Sequence, residues 1–313
     1  MLTAGGFLFF QVLLGPLVMD VSLKWLHSLA WTGLGGLPPA SAAFLQDACR
    51  RKGLPVPRIG VIKDGTPNAF TYGRVPSDAR LVVTSGLLEI LDDDEAAAVL
   101  GHELGHIANY DMLVMTIASI VPVVLYGIYR ACTKRSSGGS SKGKGQLAVI
   151  GVAAYLLYVL TRYLVLALSR LRELHADRWS AEVTGKPNAL ASALVKIAYG
   201  LAGREGEAEG GVGDLPAARM LGIFDPTSAK ALAVSASRGA GGSGPSRENV
   251  LGAMQWDLWN PWADIHEMSS SHPLPAKRIE HLGRCAAALG QEPYARFDRE
   301  KPESFLDEFL VDV

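Results

Sequence analysis

The stretch DDDEAAAVLGHELGHIAN, residues 92–109, reads as one helix with a marked beginning and a working face. Asp92 stands three residues before Glu95, the D-x-x-E form of an N-terminal capping pattern, so the helix is expected from about Asp93 to Asn109. Ala96 to Leu100 supply a small apolar face below the histidines. His102 and His106 are four residues apart and so stand one turn above the other on the same side. Two imidazoles placed in this way can share a zinc ion. Glu103 then falls beside the open position of such a site, where a carboxylate can take a proton from water and later deliver one to a leaving amine. A His-Glu-x-x-His pattern alone arises by chance in roughly one chain in a hundred of this length. Gly101 and Gly105 favour the chemical reading, because they leave room for a metal, a substrate or a second backbone.

A catalytic zinc site needs a third protein ligand, and SRLRELHAD at 169–177 supplies one in Glu173. Asp177, one turn later, can accept a hydrogen bond from the outer nitrogen of a ligating histidine and fix its tautomer. The competing reading is a solvated charged face, since Arg170, Arg172 and Arg178 are adjacent. His175 is a rival ligand, but two residues from Glu173 it points to nearly the opposite side of a helix.

Working outward, apolar residues gather in long runs. Residues 112–131 and 147–169 each reach the roughly 30 Å needed to cross a bilayer at about 1.5 Å per residue. Residues 4–19 form a shorter run without charge, read as an uncleaved anchor continuing into an amphipathic piece over Leu23 to Trp31. Arg162 near the end of the last run is expected to snorkel to the interface, and Pro122 to kink the preceding one. A hairpin of 112–131 and 147–169 brings His106 and Glu173 out on the same face of the membrane. A soluble reading gives no reason for that symmetry.

The 313 residues are 49% hydrophobic with a formal net charge of -1, which offers nucleic acid no electrostatic hold. Cys49, Cys132 and Cys285 are odd in number and widely spaced, against a disulfide framework or thiolate zinc site and in keeping with a reducing compartment. A helix over Ser41 to Lys52, closed by Gly53, precedes three short strand-like runs at 58–63, 68–74 and 79–84. The Gly-rich stretch 200–246 reads as a surface excursion. Trp256, Trp259 and Trp262 either pack on the protein or sit at a membrane interface, and packing is favoured. The expected fold is α+β, mainly α. Its segments are a membrane anchor (1–31), a first catalytic part (32–111), a transmembrane hairpin (112–169) and a second catalytic part (170–313).

PNAFTYG at 67–73, GHELGH at 101–106, SRLRELHAD at 169–177 and SSHPLPAKRI at 270–279 together resemble, in order and over nearly the whole chain, the HtpX-type membrane zinc metalloproteases. These gluzincins are relatives of the membrane CAAX prenyl endopeptidases. The resemblance implies a zincin-like catalytic domain with a small β-sheet, interrupted by the membrane hairpin. It implies one Zn2+ per chain on His102, His106 and Glu173, with Glu103 as general base and Asp177 in support. It adds Asn68 on a strand bordering the cleft, where a peptide substrate can bind by main-chain hydrogen bonds, and His272 and Arg278 near the reacting carbonyl, His272 as the oxyanion stabiliser. The expected activity is endopeptidase cleavage of membrane or misfolded polypeptides, in quality control at the cell membrane, with the active site facing the cytoplasm and lipid as the other partner. A narrower processing protease of CAAX type and a catalytically idle membrane scaffold are the alternatives; the intact Glu103 speaks against the second. The family has more membrane sequence before its soluble part than the single short run here. Lys134, Arg135, Lys142 and Lys144 in the hairpin loop balance Arg170, Arg172, Arg178 and Lys186 on the zinc side, so charge does not set the orientation.

Overall fold

The computed structural model describes residues 2–136, 144–202 and 247–298. The expected Gly-rich excursion lies outside these residues except for its first three, and so does most of the hairpin loop. Among the described residues the chain runs α1 (Leu2–Leu26), β1 (Ala30–Trp31), α2 (Pro39–Lys52), β2 (Arg58–Ile62), β3 (Ala69–Tyr72), β4 (Arg80–Thr84), α3 (Ser85–Ile90), α4 (Asp93–Ala108), α5 (Asp111–Ser136), α6 (Lys144–Thr184), α7 (Pro187–Ala202), α8 (Arg247–Trp259), α9 (Pro261–Met268) and α10 (Pro275–Ala288). The fold is mostly helical around one small mixed sheet, as the sequence patterns predict.

Local chemistry explains the boundaries. Pro39 opens α2, where its missing N–H costs nothing, and Gly53 closes it with a left-handed φ of 65°. At α4 both halves of the capping box form: Asp92 accepts from the Glu95 N–H at 2.9 Å, and Glu95 accepts from the Asp92 N–H at 3.0 Å. Ser192 and Lys196 of α7 also donate to Glu95, at 2.7 and 2.6 Å, so one buried carboxylate caps a helix and ties two together. The piece expected to be amphipathic over Leu23 to Trp31 is instead split. Ser28 takes a φ of 52°, which ends the helical path, and Ala30 and Trp31 become an edge strand.

The sheet order is β1-β2-β4-β3, with β2 and β4 parallel and the two outer pairs antiparallel. Alternation along β4 sends Leu81 and Val83 into the main core with α2, α4, α7 and α10, and Val82 to the opposite face under Leu23 and Met19 of α1. Asp20 fixes α1 there, accepting from the Tyr72 hydroxyl at 2.7 Å and from Arg80 Nε at 3.1 Å.

Two helices, Asp111–Lys134 and Gly145–Thr184, are long and apolar enough to cross a membrane. They pair as a hairpin in which Tyr126 meets Tyr158 and Tyr129 meets Tyr155 at ring separations of 5.2 and 5.0 Å. Leu157, Leu160 and Leu164 face outward and are exposed among the described residues, with Arg162 exposed among them. With 41 residues, α6 is about 60 Å long, roughly twice the hydrocarbon thickness, so it extends well beyond the apolar layer without a break. Its far end crosses α4 at two glycines. A Cβ on Gly105 would lie 3.1 Å from Ala176 Cα, and one on Gly101 would lie 3.1 Å from Ser180 Oγ. Of the three occupants the sequence allowed at these glycines, the structure shows a second backbone at Gly105, while Gly101 faces side chains.

Candidate metal centre and active site

That crossing brings Glu173 over the α4 histidines. The Nε2 atoms of His102 and His106 are 3.1 Å apart, with the rings edge to face. Glu173 Oε2 lies 3.6 Å from His102 Nε2, and Oε1 lies 3.4 Å from His106 Nε2. One ligand atom from each of the three residues falls within 4.8 Å of the others. The outer nitrogens turn away from this point to carboxylates: His102 Nδ1 is 2.9 Å from Asp177 Oδ1, and His106 Nδ1 is 2.7 Å from Asp111 Oδ2. With Nδ1–H donating outward on each ring, both Nε2 lone pairs are aimed at the shared space.

The carboxylates are held in turn. Arg278 of α10, 1% exposed, donates from Nε and Nη2 to Asp177 at 2.9 and 2.6 Å, and its Nη1 sits 3.4 Å from Glu173. Arg172 pairs with Asp111 and donates to the Asn109 carbonyl at 3.0 Å. His272 is buried with Nδ1 3.2 Å from Glu173 Oε2, and its backbone N–H donates to Ser270 Oγ at 3.1 Å. His175, the rival ligand, is exposed on the far side of α6.

Among the described residues, several buried polar atoms around the shared space have no hydrogen-bond partner: both oxygens of Glu103, Glu173 Oε2 and both ring nitrogens of His272. Leaving such an atom unmet costs about 1–3 kcal/mol, so their convergence marks a place built for a ligand rather than for packing. Burial raises the Glu103 pKa above the usual carboxylate value, against the pull of the two histidines. Burial lowers His106 to about 4, which keeps its ring neutral, as a ligand must be. At His102 burial works the same way, but hydrogen bonds to Asp177 and Glu173 overcome it and raise the pKa to about 9, so this ring carries a second proton that a bound metal would displace. Two imidazoles and one carboxylate, each braced from behind and with an orphaned carboxylate alongside, fit a zinc ion with one open position.

Asn68 ends the edge strand but spends its backbone on β4. Its N–H donates to Thr84 Oγ1 at 2.8 Å, and its carbonyl accepts from the Thr84 N–H at 3.0 Å. By ladder alternation, Ala69 and Thr71 turn their backbone groups away from β4; both residues are buried, and Thr71 lines a cavity. That cavity, of about 410 Å³, begins at His106 and Glu173, passes Thr71 and Gly73, and continues between α5 and α6 past Met115 and Leu166. Sequence reasoning missed Asp111 and Arg172. The one available signal was a carboxylate five residues after the second histidine, opening the next helix.

Residues 41–286 match the model of Peptidase family M48. The chain belongs to that family. Among M48 relatives, the Protease HtpX homolog of Methanothermobacter thermautotrophicus is 36% identical over 192 residues, 61% of this chain and 70% of that protein. The Protease HtpX homolog of Pyrococcus furiosus is 31% identical over 255 residues, 80% of this chain and 75% of that one. That of Thermococcus kodakarensis is 40% identical over 172 residues, 51% and 56% respectively. The crystal structure of S. mikatae Ste24p shares the fold at a TM-score of 0.52 and 16% identity, over 88% of this chain and 56% of that one. The M48 peptidase described here is thus a protease by family, with two membrane-length helices and a histidine, histidine and glutamate cluster suited to a metal.

Proposed function

We propose that this M48 peptidase is a zinc-dependent endopeptidase that cuts polypeptides at the surface of the cell membrane, with one zinc per chain on His102, His106 and Glu173. The observation that carries the reading is the convergence of three inward ligand atoms on a space bordered by the orphaned carboxylate of Glu103. Zinc bound there would polarise the scissile carbonyl and make a nearby water more acidic.

The protein's own residues account for the remaining work. Glu103, buried and with a raised pKa, takes the proton from the attacking water and returns it to the leaving nitrogen. His272, within reach of Glu173 and otherwise unpartnered, donates to the oxygen on which negative charge develops. Asp177 and Asp111 hold the histidine rings, and Arg278 holds Asp177 by a two-pronged pair rather than reaching the reacting carbonyl itself. An extended substrate adds to the edge of β3 at Thr71, where the cavity reaches the strand beyond Asn68. Membrane or misfolded proteins are the substrates that suit a centre beside the hairpin, which supports a role in membrane protein quality control. The free cysteines agree with a centre facing the cytoplasm. The hairpin interrupting a two-part catalytic unit belongs to the same proposal.

The apolar lining of the cavity between α5 and α6 favours a second reading, a processing protease for chains carrying an apolar group. Casein cleavage separates the two, since only the broad endopeptidase cuts it. Glu103→Gln is expected to lower that cleavage at least about 100-fold while zinc content stays near one per chain. Undiminished cleavage by the variant would sink the mechanism. A chelator should abolish wild-type activity and added zinc should restore it.

A further inference from the structure

Outside the metal centre and the hairpin, one short helix turns an apolar stripe outward. On α9, Trp262, Ile265 and Met268 are 62%, 56% and 53% exposed, and their three-residue spacing places them within an arc of about 120°. Glu267 lies toward the protein, while Asp264 and His266 are exposed on either side of the apolar stripe. Glu267 is buried, accepts from the Leu274 N–H at 3.0 Å and pairs with Lys277, which also reaches Asp264 at 2.8 Å. On a helix facing water the three stripe positions would be polar as well.

The attachment of α9 fixes what it faces. Arg170, the first residue after the apolar run of α6, donates to the carbonyls of Glu267 and Ser270 at 2.9 Å and of Met268 at 3.4 Å. These bonds satisfy the last carbonyls of α9 and place a cation at the negative end of its dipole. They also hold that end of α9 where α6 leaves the apolar layer. The next residue, Leu171, is exposed and continues the outward row of Leu157, Leu160 and Leu164, so among the described residues the exposed apolar surface of the hairpin extends to the level at which Arg170 holds α9.

We propose that α9 is an interfacial helix, with Trp262, Ile265 and Met268 set into the boundary between lipid headgroups and acyl chains. The bilayer is the occupant, because the stripe is continuous with the hairpin surface that the lipid covers. An indole at one end suits that boundary, where an amphipathic ring is favoured. The loop that follows carries His272, so the bilayer would fix one side of the loop while Glu173 meets the other.

The inference rests on the hairpin being embedded in a membrane, and the test separates the two. In a Cys285→Ser background, with Cys49 and Cys132 buried against labelling, single cysteines replace Trp262, Ile265 and Met268 in turn. Each is spin-labelled in the full-length protein in lipid nanodiscs, with Leu164→Cys as the lipid reference and Glu292→Cys as the water reference. The expected result is a ratio of oxygen to nickel-chelate accessibility at all three α9 sites several-fold above that at Glu292. A ratio matching Glu292 overturns the proposal, as does low accessibility to both reagents, which signals a protein contact. A water-like ratio at Leu164 instead refutes the embedded hairpin itself.

Discussion

Replacing Gly105 with Ala tests whether the crossing of α4 and α6 sets the metal centre. The added Cβ would sit 3.1 Å from Ala176 Cα, 3.2 Å from Trp179 Cβ and 3.3 Å from the Ala176 carbonyl oxygen. Ordinary carbon contacts fall at about 3.5–4.0 Å, so the helices must part by roughly 0.4–0.9 Å. Two of these three neighbours are backbone atoms, which cannot rotate away. Overpacking of this kind costs about 1–3 kcal/mol, offset by the roughly 1 kcal/mol that alanine gains over glycine within a helix. The net stability change is therefore modest, and the larger effect falls on geometry. His102 and His106 move with α4, Glu173 moves with α6, and zinc tolerates only about ±0.2 Å in its ligand distances. Zinc affinity, measured by competition with a chromophoric chelator in detergent, should fall about tenfold or more, corresponding to 1.4 kcal/mol. Gly101→Ala is the control, because its Cβ would meet mainly side-chain atoms, Ser180 Oγ nearest, which can give way. Equal zinc affinity in wild type and Gly105→Ala, or a larger loss in Gly101→Ala, would refute the reasoning.

Asp111→Ala should weaken zinc binding about 10–100-fold by freeing the His106 ring, read by the same titration. Arg278→Met leaves two buried carboxylates without their cation and should cost about 3–5 kcal/mol, seen as a lower thermal midpoint of the zinc-free protein in detergent. Adding Asp177→Asn to that variant should recover part of the loss; full additivity would count against the pairing. At the start of α4, Asp92→Ala should cost about 1 kcal/mol as a lost cap. Glu95→Ala should cost more in the same denaturation assay, because Ser192 and Lys196 lose their acceptor as well.

Features with a local cause were legible in the sequence. The capping box at Asp92 and Glu95, the left-handed stop at Gly53, the three strands and the apolar hairpin each depend on residues close together in the chain. The histidine pair and Glu173 were legible for a related reason: one helical turn and one hairpin bring them together. Asp111 escaped notice because Tyr110, at a φ of 57°, turns the chain between α4 and α5 and swings Asp111 back toward His106. The competing reading makes the arginines following the last apolar run one solvated face, but only Arg178 behaves so, paired with Glu182 in the open. Arg170 and Arg172 instead grip carbonyls and a carboxylate, a difference made by partners distant in the chain. His272 and Arg278 carry no local signal of function, and only the family resemblance singled them out.

The distance in sequence between Asp177 and Arg278 has a consequence for how the molecule is made. The guanidinium that neutralises Asp177 lies 101 residues further along. At a ribosomal rate of about 5–20 residues per second, it is synthesised roughly 5–20 s later. By then both long apolar helices have left the ribosome. Until α10 arrives, the carboxylate behind His102 lacks the arginine that clamps it, and the ring it steers is held by that carboxylate alone. Order of synthesis thus becomes order of activation, and a nascent chain reaches the bilayer before its cutting centre is finished.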